Sequence, residues 1–131
     1  MTSFFSKYKS IFYFCNFFLI FLYLFPGSLL GCFLYNDCRL QPQITPDFII
    51  STNHLYAFFA LSIIGLITYK KKNHLNFLFV YLVFLSTILE IMHYIIPDRS
   101  FEFPDLFGNL IGAIIPFTIN YLFNKYEIFK N

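Results

Sequence analysis

The sequence predicts an all-α membrane protein, a four-helix transmembrane bundle with both termini cytoplasmic. Three observations carry this. The 131 residues are 58% hydrophobic and only 12% charged, whereas soluble domains carry roughly 25% charged residues. Four apolar segments approach the roughly 20 residues that span a bilayer. The lysines fall at alternate segment ends, which sets an orientation. At this length there is room for one such bundle, a single transmembrane domain over residues 1–131.

The first segment covers about residues 11–35 and contains Pro26-Gly27, which predicts a kink or an early end. The second covers about 48–69. The third covers about 77–96 and is stopped by Pro97. The fourth covers about 105–123 and contains Pro116. The 21 phenylalanines read as lipid-facing side chains rather than a cofactor box.

Lys7 and Lys9 precede the first segment, Lys70, Lys71 and Lys72 separate the second from the third, and Lys125 and Lys130 follow the fourth. Only Arg39 and Arg99 fall on the opposite side, beside Asp37, Asp47, Asp98, Glu102 and Asp105. This asymmetry predicts a multi-pass protein of the inner (cytoplasmic) membrane, with loops 36–47 and 97–104 outside. The lysines act as topology anchors, and a net charge of +2 gives no basis for binding nucleic acid.

Lys7, Lys9, the apolar run and Leu29-Leu30-Gly31-Cys32 loosely resemble a lipoprotein signal. Leu30 stands where a small residue is usual, and the run is long enough to remain a helix, so residues 1–31 are expected to stay. Cys32 and Cys38 flank the outer end and can bridge in an oxidising compartment; unpaired, apolar cysteine is the simpler expectation. No HExxH, CxxC, GxSxG or glycine-rich phosphate loop is present, and no His/Cys spacing suggests a metal site. No cofactor and no metal are expected.

Chemistry concentrates around Glu90. A carboxylate inside hydrocarbon costs about 2.5–3.5 kcal/mol on insertion scales, so it faces a partner, a cavity or a substrate. Loop 97–104 is short and makes the third and fourth segments antiparallel neighbours. Measured from that loop at 1.5 Å per residue, Glu90 lies about 9 Å deep and Asn109 about 6 Å deep. His93 and Tyr94 share the face of Glu90. Asp105, Asn109, Gly112, Pro116 and Asn120 trace one stripe along the fourth segment, and His54 sits at compatible depth on the second. His54, Glu90, His93, Arg99, Asp105 and Asn109 therefore form the candidate ligand-binding set. Gly108 and Gly112 make a GxxxG helix-packing pair. Each has a plainer reading: Asp105 caps the fourth segment, Arg99 is a loop cation, and Glu90 forms a structural pair with Arg99 or Asn109.

At these residues the chain resembles the VanZ-like family of small bacterial membrane proteins. The family pattern is Glu-x-x-Gln, a short loop with Pro/Gly-Arg-x-x-x-x-x-Asp, then Asn-x-x-Gly. Glu90, His93, Pro97, Arg99, Asp105, Asn109 and Gly112 follow it in order, with His93 in place of Gln. An upstream element, Asp-Lys-x-x-His-Phe-x-x-Tyr, is echoed by His54-Leu55-Tyr56-Ala57-Phe58, with Ile50 and Ser51 where Asp-Lys is expected. The resemblance covers about residues 50–115. It implies a four-helix protein of the bacterial cell envelope; the founding member is linked to teicoplanin, a glycopeptide, through antibiotic resistance.

Three function classes follow. The first is an outward polar pocket between the second, third and fourth segments, binding a lipid headgroup, a cell-wall precursor or a lipophilic antibiotic. The second is a membrane-embedded enzyme on a lipid-linked substrate, with Glu90 as general base and His93 or His54 as proton partner. No nucleophile is obvious, since Ser86 and Thr87 lie one turn deeper and Ser100 is in a loop. The third is a structural subunit, partnered by other membrane proteins. Binding is favoured over catalysis.

Overall fold

A run of apolar side chains fixes which residues leave water, and local hydrogen bonding fixes where each helix begins and ends. The computed structural model describes the backbone of residues 2–126 and the side chains from residue 8 onward. The described residues form five helices and no strand: α1 (Thr2–Leu24), α2 (Leu29–Tyr35), α3 (Thr52–Thr68), α4 (Lys72–Met92) and α5 (Phe103–Lys125). Two of them, α4 and α5, are long and apolar enough to cross a membrane, and a third span exists if the bent pair α1–α2 counts as one. At 17 residues, α3 is apolar but shorter.

Pro26-Gly27 splits the first apolar segment, and α1 and α2 meet at 77°. Gly27 takes φ +70°, where a side chain would be strained and would also strike the Cys38 carbonyl. Ser28 caps α2 by accepting the Gly31 N–H, and Asn36 in the left-handed region closes it. Cys32 and Cys38 are joined by a disulfide, which corrects the expectation of unpaired cysteines and ties α2 to the loop behind it.

Apolar limits and helix limits differ: α1 begins at Thr2, well before the apolar run, and α3 and α4 depart from their expected limits as well. Residues 48–51 are not helical, because Asp47 accepts the Thr52 N–H at 2.8 Å and sets the chain's turn into α3. At the other boundary, α4 starts five residues before the apolar run, since the polar stretch from Lys72 is itself helical. It also ends early, at Met92. There the His93, Tyr94 and Ile95 N–H groups bond three residues back, tightening the turns before Pro97. Glu90 therefore sits at the helix end rather than two turns inside it.

The most extensive helix contact is between α3 and α5, followed by α4–α5 and α1–α3. The Ser51 N–H bonds to Pro104 O, and His54 lies beside Gly108, so α3 and α5 run parallel. Thr68 bonds to Tyr8 O while Tyr23 packs on Phe58, so α1 runs opposite to α3. A Cβ on Gly112 would collide with the Leu55 backbone carbonyl, and one on Gly108 would meet Ser51 O at 2.5 Å. The GxxxG face thus seats α3 against α5 backbone to backbone. Pro116 is accommodated within α5 and buried.

Between the helices lie Phe12, Leu19, Tyr23, Phe58, Leu61, Leu78, Leu82, Leu85, Leu89 and Ala113. Phe14, Phe17, Phe77 and Phe84 face outward, each at least 65% exposed, as expected of lipid-facing side chains. Lys9, Lys70, Lys71, Lys72 and Lys125 gather at one end of the molecule, and Lys130 lies outside the described residues. His54, Glu90 and Asp105 occupy the other end.

Candidate functional site

Helix ends place the polar side chains of this site. His54 stands in the first turn of α3, Glu90 in the last turn of α4, and Asp105 and Asn109 in the first two turns of α5. The parallel α3–α5 pair brings these ends together. Asp105 is not the N-cap of α5, which is Glu102, so the capping expectation is corrected; the acid still suits the positive end of the helix.

Asn109 is fully buried and organises the centre. Its Nδ2 donates to Ser86 O at 3.3 Å, while its Oδ1 faces the Tyr23 hydroxyl at 2.6 Å and His54 Nδ1 at 3.1 Å. His54 Nε2 is 3.5 Å from Asp105 Oδ2, and its Nδ1 is 3.9 Å from Glu90 Oε2. Glu90 Oε1 accepts the Glu102 N–H at 3.1 Å and meets His93 Nδ1 at 3.3 Å. His93 Nε2 donates to Tyr23 O at 3.0 Å. Glu90 Oε2 is buried without a hydrogen-bond partner.

Five of the six expected residues therefore converge: His54, Glu90, His93, Asp105 and Asn109. The expected Glu90–Arg99 and Glu90–Asn109 pairs do not form; the hydrogen-bond partners of Glu90 are His93 and the Glu102 N–H, with His54 within ion-pair distance. Arg99 instead donates to Leu22 O at 2.9 Å and Phe25 O at 3.3 Å, across the C-terminal end of α1, where a cation complements the helix dipole. Burial lowers its pKa, and Tyr23, Glu90 and Asp105 pull the other way. Tyr23 does not stand out in the sequence, where it is one of the chain's ten tyrosines and lies in a Phe/Tyr-rich run. Its position three residues before Pro26, at the bend, is the one available signal.

Two clefts adjoin this cluster. A polar one of about 210 Å³ is lined by Arg39, Asp98, Arg99, Ser100, Glu102 and Asp105, among others. A mostly apolar one of about 220 Å³ is lined by Leu22, Leu29, Leu30, Ile44, Ala57 and His54, among others. Ser28, Gln41 and Arg99 line both. Glu90 lines neither. Ser86 and Thr87 hydroxyls bond back to Val83 O within α4, which leaves them occupied in helix contacts.

Among the described residues one group has the composition to hold a metal: His54, Glu90 and Asp105 each offer a ligand atom, all within 4.8 Å of one another. The fold and the site together define a helical protein of the membrane class with a buried polar cluster at one end. The chain has no significant match to a protein-family model, to a curated protein or to a solved structure.

Proposed function

We propose that this chain is a four-span, VanZ-like protein of the bacterial inner membrane, with both termini cytoplasmic, that binds the headgroup region of an amphiphile such as a lipid or lipid-linked cell-wall precursor. The observation that carries the reading is the pair of adjoining clefts, one polar and one apolar, sharing Ser28, Gln41 and Arg99. Each is smaller than the roughly 300 Å³ of ordinary ligand pockets, so a ligand with a polar head and an apolar tail fits the two together better than either alone. Arg39 and Arg99 supply charge for a phosphate or carboxylate. Binding of a lipophilic glycopeptide such as teicoplanin, and hence a resistance role, belongs to the same reading.

The orientation is supported by the lysines gathered at one end, and by the Cys32–Cys38 disulfide at the other, which suits an oxidising compartment. An impermeant maleimide is expected to label Ser100→Cys in intact cells and Lys71→Cys only after permeabilisation; the reverse pattern would invert the topology. The enzyme reading, with Glu90 as base and His93 as partner, gains nothing from a carboxylate that lines neither cleft.

Native mass spectrometry of gently solubilised protein tests the binding. Wild type is expected to retain a specific amphiphile, and Arg99→Ala to lose it while keeping its helix content. Equal retention by both proteins, or none by either, refutes the proposal.

A further inference from the structure

Hydrogen-bond roles around His54 can be assigned one by one. Ser86 O is an acceptor only, so Asn109 Nδ2 must face it, and Asn109 Oδ1 must face Tyr23 and His54. That oxygen accepts, so His54 carries a proton on Nδ1. Its Nε2 then presents a lone pair toward Asp105 Oδ2, 3.5 Å away. On the far side, Tyr23 O accepts from His93 Nε2, and a proton lies between His93 Nδ1 and Glu90 Oε1. Oε1 also receives the Glu102 N–H. Oε2 receives nothing, although Glu90 is fully buried.

His54, Glu90 and Asp105, from three helices, thus each bring one ligand atom within 4.8 Å of the others, and Glu90 Oε2 lies 3.9 Å from His54 Nδ1, too far for a hydrogen bond. The facing lone pairs of His54 Nε2 and Asp105 Oδ2 repel unless an electropositive centre lies between them, and the buried Glu90 Oε2 still lacks a partner. Arg99 does not supply it, because its guanidinium is turned to the carbonyls of Leu22 and Phe25.

We propose that His54 Nε2, Glu90 Oε2 and Asp105 Oδ2 hold a divalent metal ion. One imidazole and two carboxylates suit a borderline ion of the Zn²⁺ or Mn²⁺ kind. Bonds of about 2.0–2.2 Å in a tetrahedral site place two ligand atoms of one ion about 3.4 Å apart. The observed spread of up to 4.8 Å closes with side-chain rotations that move the ligand atoms by about an ångström. The Asn109 carbonyl on His54 Nδ1–H is the kind of outer contact that fixes a metal-binding imidazole and its tautomer. Asp105 lines the polar cleft, so the remaining coordination position opens there, toward water or a phosphate oxygen. The sequence hid this set because its members stand 36 and 15 residues apart, on three helices. The inference rests on the side-chain network and is independent of the amphiphile reading.

The test uses full-length protein in detergent, stripped with chelator and titrated with Zn²⁺ and, separately, Mn²⁺ by calorimetry. Wild type is expected to take up one equivalent of at least one ion, and Asp105→Asn and Glu90→Gln to bind at least about tenfold more weakly at unchanged helix content. If Glu90→Gln does not fold, Asp105→Asn decides, because its side chain reaches the cleft. Visible absorption of bound Co²⁺ gives a second readout, present in wild type and lost in Asp105→Asn. No stoichiometric uptake by wild type, or uptake unchanged in folded Asp105→Asn, overturns the proposal. No amphiphile retained by wild type, with intact metal uptake, would sink the binding reading alone.

Discussion

At the lysine end, α1, α3 and α4 meet through Phe12, Gly65 and Leu78, and a Cβ on Gly65 would press only on the tips of side chains, Leu78 Cδ2 at 2.7 Å and Phe12 Cε2 at 3.2 Å. At the His54 end, α3 and α5 meet backbone to backbone, and the polar cluster centred on Asn109 joins α1, α3, α4 and α5. Apolar side chains discriminate poorly between a neighbouring helix and a lipid tail, since both are equally apolar. Directional hydrogen bonds and close backbone approach do discriminate. The His54 end therefore fixes the register of the helices as well as forming the site, and the lysine end tolerates adjustment.

Substitutions that separate the two ends follow, in falling order of effect. Asn109→Ala strands His54 Nδ1–H, the Tyr23 hydroxyl and Ser86 O together, and a loss of about 2 kcal/mol is expected, read as a lower melting temperature by circular dichroism in detergent. Gly112→Ala drives a methyl group into the Leu55 carbonyl, backbone that cannot rotate away. It should cost about 1–2 kcal/mol and loosen α3 from α5, seen as faster hydrogen exchange in both helices. Gly65→Ala at the opposite end meets movable side-chain tips, so less than about 1 kcal/mol is expected from the same melt. An equal or larger loss than for Gly112→Ala would remove the contrast between the ends. Tyr69→Phe deletes an exposed hydroxyl contact to Tyr13 at 3.3 Å, and its melt should stay within about 0.5 kcal/mol of wild type.

The sequence revealed the polar site through residues that do not belong in an apolar run: Glu90, His93 and Asn109 cost energy in lipid, so their presence alone implies partners. Pro26-Gly27 announced the break between α1 and α2 for an equally local reason. Partner choice was not legible. Arg99 lies at the right depth for Glu90, yet it spans to the α1 carbonyls, which become accessible only because the chain bends at residues 25–28. Tyr23 was hidden because a tyrosine in an aromatic run carries no mark of burial. Helix limits were misread wherever apolarity stood in for hydrogen bonding. Asp47 takes the Thr52 N–H and delays α3, and the Lys72 stretch is helical although polar.

The central claim, that an amphiphile sits across the two clefts, is most directly tested by photo-crosslinking. Protein is reconstituted in phospholipid vesicles containing a lipid with a photoactivatable acyl chain, and adducts are mapped by peptide mass spectrometry. Adducts at Leu30, Ile44 or Ala57, on the wall of the apolar cleft, reduced in Arg99→Ala, are the predicted result. Adducts confined to outward residues such as Phe14, Phe17 and Phe84, equal in wild type and Arg99→Ala, would contradict it.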